Sequence, residues 1–172
     1  ELIETLSEKF LDYNIDTLSM NLSYGISNRD NDFLPCDITH SHLNSKSLNE
    51  LKLWFNFIIE KNQYEEIILL GHSRGGLNVT QFYSTLSSKD REKVSNIILL
   101  APITDEFSNT IKKIKENNII KKIKAGQMND EEIINIDFMS CIDAKVKYQT
   151  FMDYMNISDS GNGSKGSLLG LL

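Results

Sequence analysis

Histidine is scarce in this chain of 172 residues: His40, His42 and His72 are the three, and none follows. Chemistry that needs an imidazole base must therefore draw on the first 72 positions or on chain outside this sequence. Cysteine is scarcer still. Cys36 and Cys141 form no CxxC pair and no ligand cluster, which excludes a cysteine metal centre. Two isolated cysteines fit free thiols in a reducing compartment, so a cytoplasmic protein is expected. No apolar run approaches the ~20 residues that a membrane-spanning helix requires. Positive charge is not in excess either: 18 Lys and Arg stand against 24 Asp and Glu, a net charge of −6. That balance argues against binding nucleic acid, which needs clustered cations. At the glycine–serine turn of residues 71–76 neither G-x-G-x-x-G nor a G-K-[ST] ending occurs, so no phosphate-cradling loop is expected there, and no cofactor is expected. His40 and His42 flank Ser41, but with no third ligand nearby they do not predict a metal.

What the chain does have is the composition of a folded domain, 40% hydrophobic and 24% charged. Leu2, Ile3, Leu6 and Phe10 predict an amphipathic helix over 1–12. Asp16–Leu22 alternates as a strand, and the polar segment 23–45 reads as a long loop. Ser47 and Glu50 form a capping box, followed by Leu51, Trp54, Phe55 and Ile58 as the buried face of a helix to Lys61. Trp54, Phe55 and Phe57 are read together as helix packing. Glu66–Leu70 is a strand, Gly75–Leu86 a helix with Leu77, Phe82 and Leu86 inward, and Val94–Pro102 an apolar strand stopped by proline. Strand, helix and strand make a βαβ unit with parallel pairing. Helices are expected over 106–124 and 129–154, the second entered through Asn129 with Glu132 three residues on, and a Gly/Ser-rich tail closes the chain.

The segment Gly71-His72-Ser73-Arg74-Gly75 joins the strand to the helix. A nucleophilic serine must project its hydroxyl into open space and yet be held in one orientation. A turn tight enough to do so brings strand and helix so close that flanking positions need glycine, and Gly71 and Gly75 are read as meeting that need. The helix behind Ser73 directs its amides and positive dipole end at the same spot.

"LLGHSRGG", with "IILLAP" about two dozen residues later, resembles the α/β-hydrolase superfamily around its nucleophile and next strand. The resemblance covers roughly residues 1–105. It implies a mostly parallel sheet flanked by helices and acyl-transfer chemistry on an ester, thioester or peptide substrate. Ser73 matches the nucleophile, and Arg74 the position whose backbone N–H is one oxyanion donor. The family's acid and histidine follow the nucleophile, and here no histidine does. The chain also opens on Glu1 rather than Met, so an incomplete piece of a longer hydrolase is expected: a core fragment at 1–105, a helical cap-like insertion at 106–155 and a disordered tail at 156–172.

Resident substitutes are few. His72 at the strand end is expected to point away from the nucleophile's face, while His40 and His42 are loop residues that line the pocket. Asp105, just past Pro102, is an unconventional acid candidate. Ile111–Lys124, with six lysines against one glutamate, reads as a solvated helix face, the functional alternative being a cap helix that attracts anionic substrates or lipid surfaces. The competing reading is a non-catalytic α/β-hydrolase-like domain that binds a ligand or partner.

Overall fold

The computed structural model describes residues 2–26, 29, 34–61, 63–103, 122 and 125–156. The expected helix over 106–124, apart from residue 122, lies outside them, as does the tail from 157. The first helix is where the periodicity placed it: α1 spans Leu2–Leu11, buries no residue fully, and half-buries Leu6 and Phe10.

The strand expected at Asp16–Leu22 is not there. The segment pairs with no strand among the described residues, and Leu18 is 44% exposed. Alternation specifies a face but cannot supply a neighbour, and a strand is stabilised only by cross-strand partners. The segment is instead pinned at its ends. Tyr64 donates to Asp16 Oδ2 at 3.0 Å, and the Ser23 amide and hydroxyl both donate to the Glu50 carboxylate.

That engagement of Glu50 also dissolves the capping box. Helix α2 runs Asn44–Lys61, starting three residues before the expected cap, so Ser47 lies inside it and is buried. The amide and hydroxyl of Ser45 donate instead to Asp153, 108 residues away, at 3.0 and 2.7 Å. The buried stripe of α2 also differs from the expected one. Phe55 is 3% exposed, with Leu48, Leu51 and Ile59 beside it at helical spacing. Trp54 and Phe57 point outward, 42% and 47% exposed, because neighbours in a helix diverge by about 100°.

Strands β2 (Ile67–His72) and β3 (Val94–Leu100) pair in parallel, with Leu70 opposite Ile98. Helix α3 (Arg74–Thr85) and the short α4 (Ser88–Arg91) form the crossover, so the βαβ unit stands. Phe55 of α2 meets Phe82 of α3 edge-on at 5.4 Å, and Leu86 completes that core.

The largest departure lies after residue 129. A helix over 129–154 is replaced by an antiparallel hairpin, β4 (Ile133–Phe138) and β5 (Cys141–Lys147), followed by helix α5 (Tyr148–Asn156). Ile134, Ile136 and Phe138 alternate inward, a period of two that overrides the Asn129–Glu132 cap signature. The turn is Met139-Ser140, both at positive φ (50° and 69°), the sign that tight hairpin turns demand. The two-residue strand β1 (Thr39–His40) adds to β5 in parallel, His40 opposite Val146. The order β1-β5-β4 makes a second small sheet beside β2-β3, and Phe151 and Tyr154 of α5 cover it.

Cys36 and Cys141 form a disulfide, so the reading of them as free thiols was wrong. Sequence distance misled: 105 residues separate them, yet β1 beside β5 brings the two segments together. The argument for a cytoplasmic location drawn from free thiols falls with it.

Candidate functional site

Strand β2 ends in a turn whose geometry is set by backbone, not by side chains. Ser73 has φ 52° and ψ −120°, a region that residues with a Cβ rarely occupy. Three main-chain hydrogen bonds hold it there: Ser73 N–H donates to Leu100 at 2.9 Å, and its carbonyl accepts from Gly76 at 3.1 Å and Ile103 at 3.2 Å. Ala101, at the end of the neighbouring strand, is also at positive φ, 42°. Both strand ends are thus strained at the same edge of the sheet. Although Ser73 sits at the N-cap of α3, its hydroxyl makes no capping bond. The side chain is therefore free of the duty that serine most often performs at a helix start.

The glycines divide differently from expectation. A Cβ on Gly71 would lie 2.2 Å from the Gly75 carbonyl oxygen, so no side chain fits there. Gly75 itself has nothing within 4 Å of where its Cβ would be, and the close-packing argument for it does not hold. Gly76 is the second tight position, its Cβ site 2.8 Å from Pro102 Cβ. The open space lies beside Gly75, two residues from Ser73.

One histidine directly precedes Ser73 and the other two form a buried pair. His72 is exposed at the end of β2. His40 and His42 are buried, 0% and 6% exposed, and face each other with His40 Nδ1 3.3 Å from His42 Nε2. The other nitrogen of His42 lies 3.0 Å from the Tyr154 hydroxyl. Burial, then the neighbouring His40, Arg74 and Arg29, push the His42 pKa down to about 3. Burial also lowers His40, and raises Tyr154 well above its ordinary value. The cluster is neutral at pH 7, and both nitrogens of His42 are engaged within it. Among the described residues, no hydrogen bond joins the Ser73 hydroxyl to a histidine ring.

Arg74 links the two places. Its backbone opens α3 directly after Ser73, while its guanidinium sits 5.1 Å from the centre of the Tyr154 ring. Tyr154 was not singled out from the sequence, and no local spacing marks it. A cavity of about 100 Å³ lies between the 23–25 turn and α2, lined by Ser23, Tyr24, His42, Lys46 and Glu50 among others. His42 borders this cavity, whereas His40, Ser73 and Arg74 do not, so it is not a pocket at the Ser73 turn. Asp105 and the lysine-rich stretch up to residue 121 lie outside the described residues. Among the described residues no group of three His, Cys, Asp or Glu converges as metal ligands, and no helix is long and apolar enough to cross a membrane.

A family model described as alpha/beta hydrolase fold matches residues 32–131. That span contains the whole β2–Ser73–α3–β3 unit. No curated protein and no solved structure gives a significant match.

Proposed function

Because this chain belongs to the alpha/beta hydrolase fold family, we propose that Ser73 is the nucleophile of a serine hydrolase acting on an ester, thioester or amide bond in the full-length protein. One observation carries this reading: the strained φ 52°, ψ −120° backbone of a serine whose hydroxyl is not spent on capping its own helix. In the proposed reaction the Ser73 oxygen adds to the substrate carbonyl and its proton passes to a base. The carbonyl oxygen becomes an oxyanion in front of the Arg74 N–H, where the start of α3 supplies a favourable field. Expulsion of the alcohol, thiol or amine leaves an acyl-enzyme, which water then hydrolyses.

The base is proposed to be a histidine outside these 172 residues. His42 has both ring nitrogens engaged in the core, and His72 is exposed at the strand end. A second reading draws on that same observation: a hydrolase-like domain that binds a ligand or partner and performs no chemistry. A fluorophosphonate probe on the full-length protein separates the two. The hydrolase reading expects labelling at Ser73, lost in Ser73→Ala together with ester hydrolysis. Labelling that survives the substitution removes Ser73 from the role. No labelling of the wild type at all favours the binding domain.

A further inference from the structure

The disulfide is attached at an unusual place. Cys36 lies in the loop four residues before His40 and is exposed, whereas Cys141 opens β5 and is 3% exposed. Among the described residues, the loop's backbone pairing with the sheet is limited to β1, a ladder of two residues. What the loop carries inward is costly to bury. His40 is fully buried, and its Nε2 has no hydrogen-bond partner among the described residues. His40 and His42 then pack against Phe138, with ring centres 5.4 and 5.9 Å away, and His42 reaches Tyr154. A polar cluster with an orphaned nitrogen, held by a two-residue strand, depends on an additional tether.

We infer that the Cys36–Cys141 bond is a redox-sensitive latch: it holds the loop bearing His40 and His42 under the hairpin, and reduction releases them from Phe138 and Tyr154. The chemistry needs a dithiol reductant. Its thiolate attacks the sulfur of Cys36, the exposed residue of the pair, the S–S bond breaks, and Cys141 leaves as a thiolate that takes up a proton. The second thiol of the reductant then closes its own disulfide and frees Cys36, so two electrons and two protons reach the protein. Exposure on the Cys36 side makes the bond reachable, as in labile rather than permanently structural disulfides. Release has a route to the Ser73 turn, because Tyr154 loses His42 on one side while Arg74 rests on its ring on the other. The latch itself does not rest on the hydrolase reading.

The test is reduction of the wild-type protein with dithiothreitol under native conditions, with free thiols counted by mass after alkylation. Two readouts follow: the NMR titration of the His42 ring, and amide exchange across both sheets. The latch expects both thiols to become free and the His42 midpoint to move up toward the ordinary value near 6.5. It also expects exchange in β1 and β5 to rise about tenfold or more while β2 and β3 keep their protection. Cys36→Ser reproduces the reduced state if it folds. Three results overturn the proposal. The bond resists reduction until the protein unfolds; both thiols are freed but His42 and exchange do not change; or every strand loses protection together, which makes the bond a global staple.

Discussion

The Tyr154 hydroxyl lies 3.0 Å from Nδ1 of His42, across 112 residues of chain, and neither side chain has meaningful access to solvent. This bond joins the loop before α2 to the last described helix, and it fixes what substitutions there will do.

Tyr154→Phe removes the hydroxyl and keeps the ring against Phe138 and Arg74. His42 Nδ1 is then buried without its partner, a loss of about 1–3 kcal/mol. Urea unfolding of the variant measures it. A change within error of zero would mean that water already serves this nitrogen.

The same cluster sets a pH dependence. His42 is held down to about 3, whereas the unfolded chain titrates near 6.5, so between those values the unfolded state binds more protons. Stability therefore climbs as pH rises through this window, is complete above about 6.5, and is lost as pH falls through it. At about 1.4 kcal/mol per unit, His42 alone accounts for a pH-dependent stability of roughly 5 kcal/mol across the window. Melting temperatures from pH 3.5 to 7 should show the slope, and His42→Gln should flatten it. Equal slopes in both proteins would place the effect elsewhere.

Gly71 and Gly75 should respond oppositely to alanine. Gly71→Ala drives a methyl into the Gly75 carbonyl at 2.2 Å, where only backbone can yield, and is expected to cost about 3 kcal/mol or to prevent folding. Gly75→Ala meets nothing and replaces a helical glycine, so it should stabilise by roughly 0.5–1 kcal/mol. Thermal melts of the pair settle it. Equal losses would mean that the two sites are not distinguished as their surroundings indicate.

Asp153→Ala removes the carboxylate that accepts from the amide and hydroxyl of Ser45 at the start of α2. A loss of about 0.5–2 kcal/mol is expected, as for other helix caps. The confirming sign is faster amide exchange confined to the first turn of α2 and the end of α5. If exchange there is unchanged, Ser45 is capped by other means.

Residues 1–172 alone should show no triad-type turnover. Both nitrogens of His42 are engaged in the core, and no hydrogen bond joins the Ser73 hydroxyl to a histidine ring among the described residues. A serine without a base stays protonated at neutral pH and is a poor nucleophile. Ser73-dependent hydrolysis of a p-nitrophenyl ester by this chain would contradict that expectation and redirect attention to His40 and His42.

The parts legible in the sequence are those whose causes are local. The turn at Ser73 follows from an apolar strand, a glycine and an amphipathic helix in succession, and the β2–β3 pairing follows from a short crossover. Gly75 was misjudged because the G-x-S-x-G spacing draws attention to the fifth residue, while Pro102 makes the sixth, Gly76, the tight one. The hairpin was missed because Met139-Ser140 carries no turn signature, although Ile134, Ile136 and Phe138 kept the period of a strand. The true cap of α2, the partner of His42 and the disulfide each lie more than 100 residues from the position they serve. Such pairings are decided by topology, and no spacing rule within one element encodes them.

The parallel pairing of β1 with β5 sets the order of assembly. As the chain leaves the ribosome, β2, α3 and β3 can close on one another once residue 100 is out, because their contacts are near neighbours in sequence. His40 must wait for Val146, Ser45 for Asp153 and His42 for Tyr154. Until then the 34–43 segment lacks its strand partner, and the amide and hydroxyl of Ser45 lack the Asp153 carboxylate. During that interval the nascent chain carries a finished Ser73 turn beside an unfinished second sheet, and it is this half-built species that a chaperone or a protease would meet.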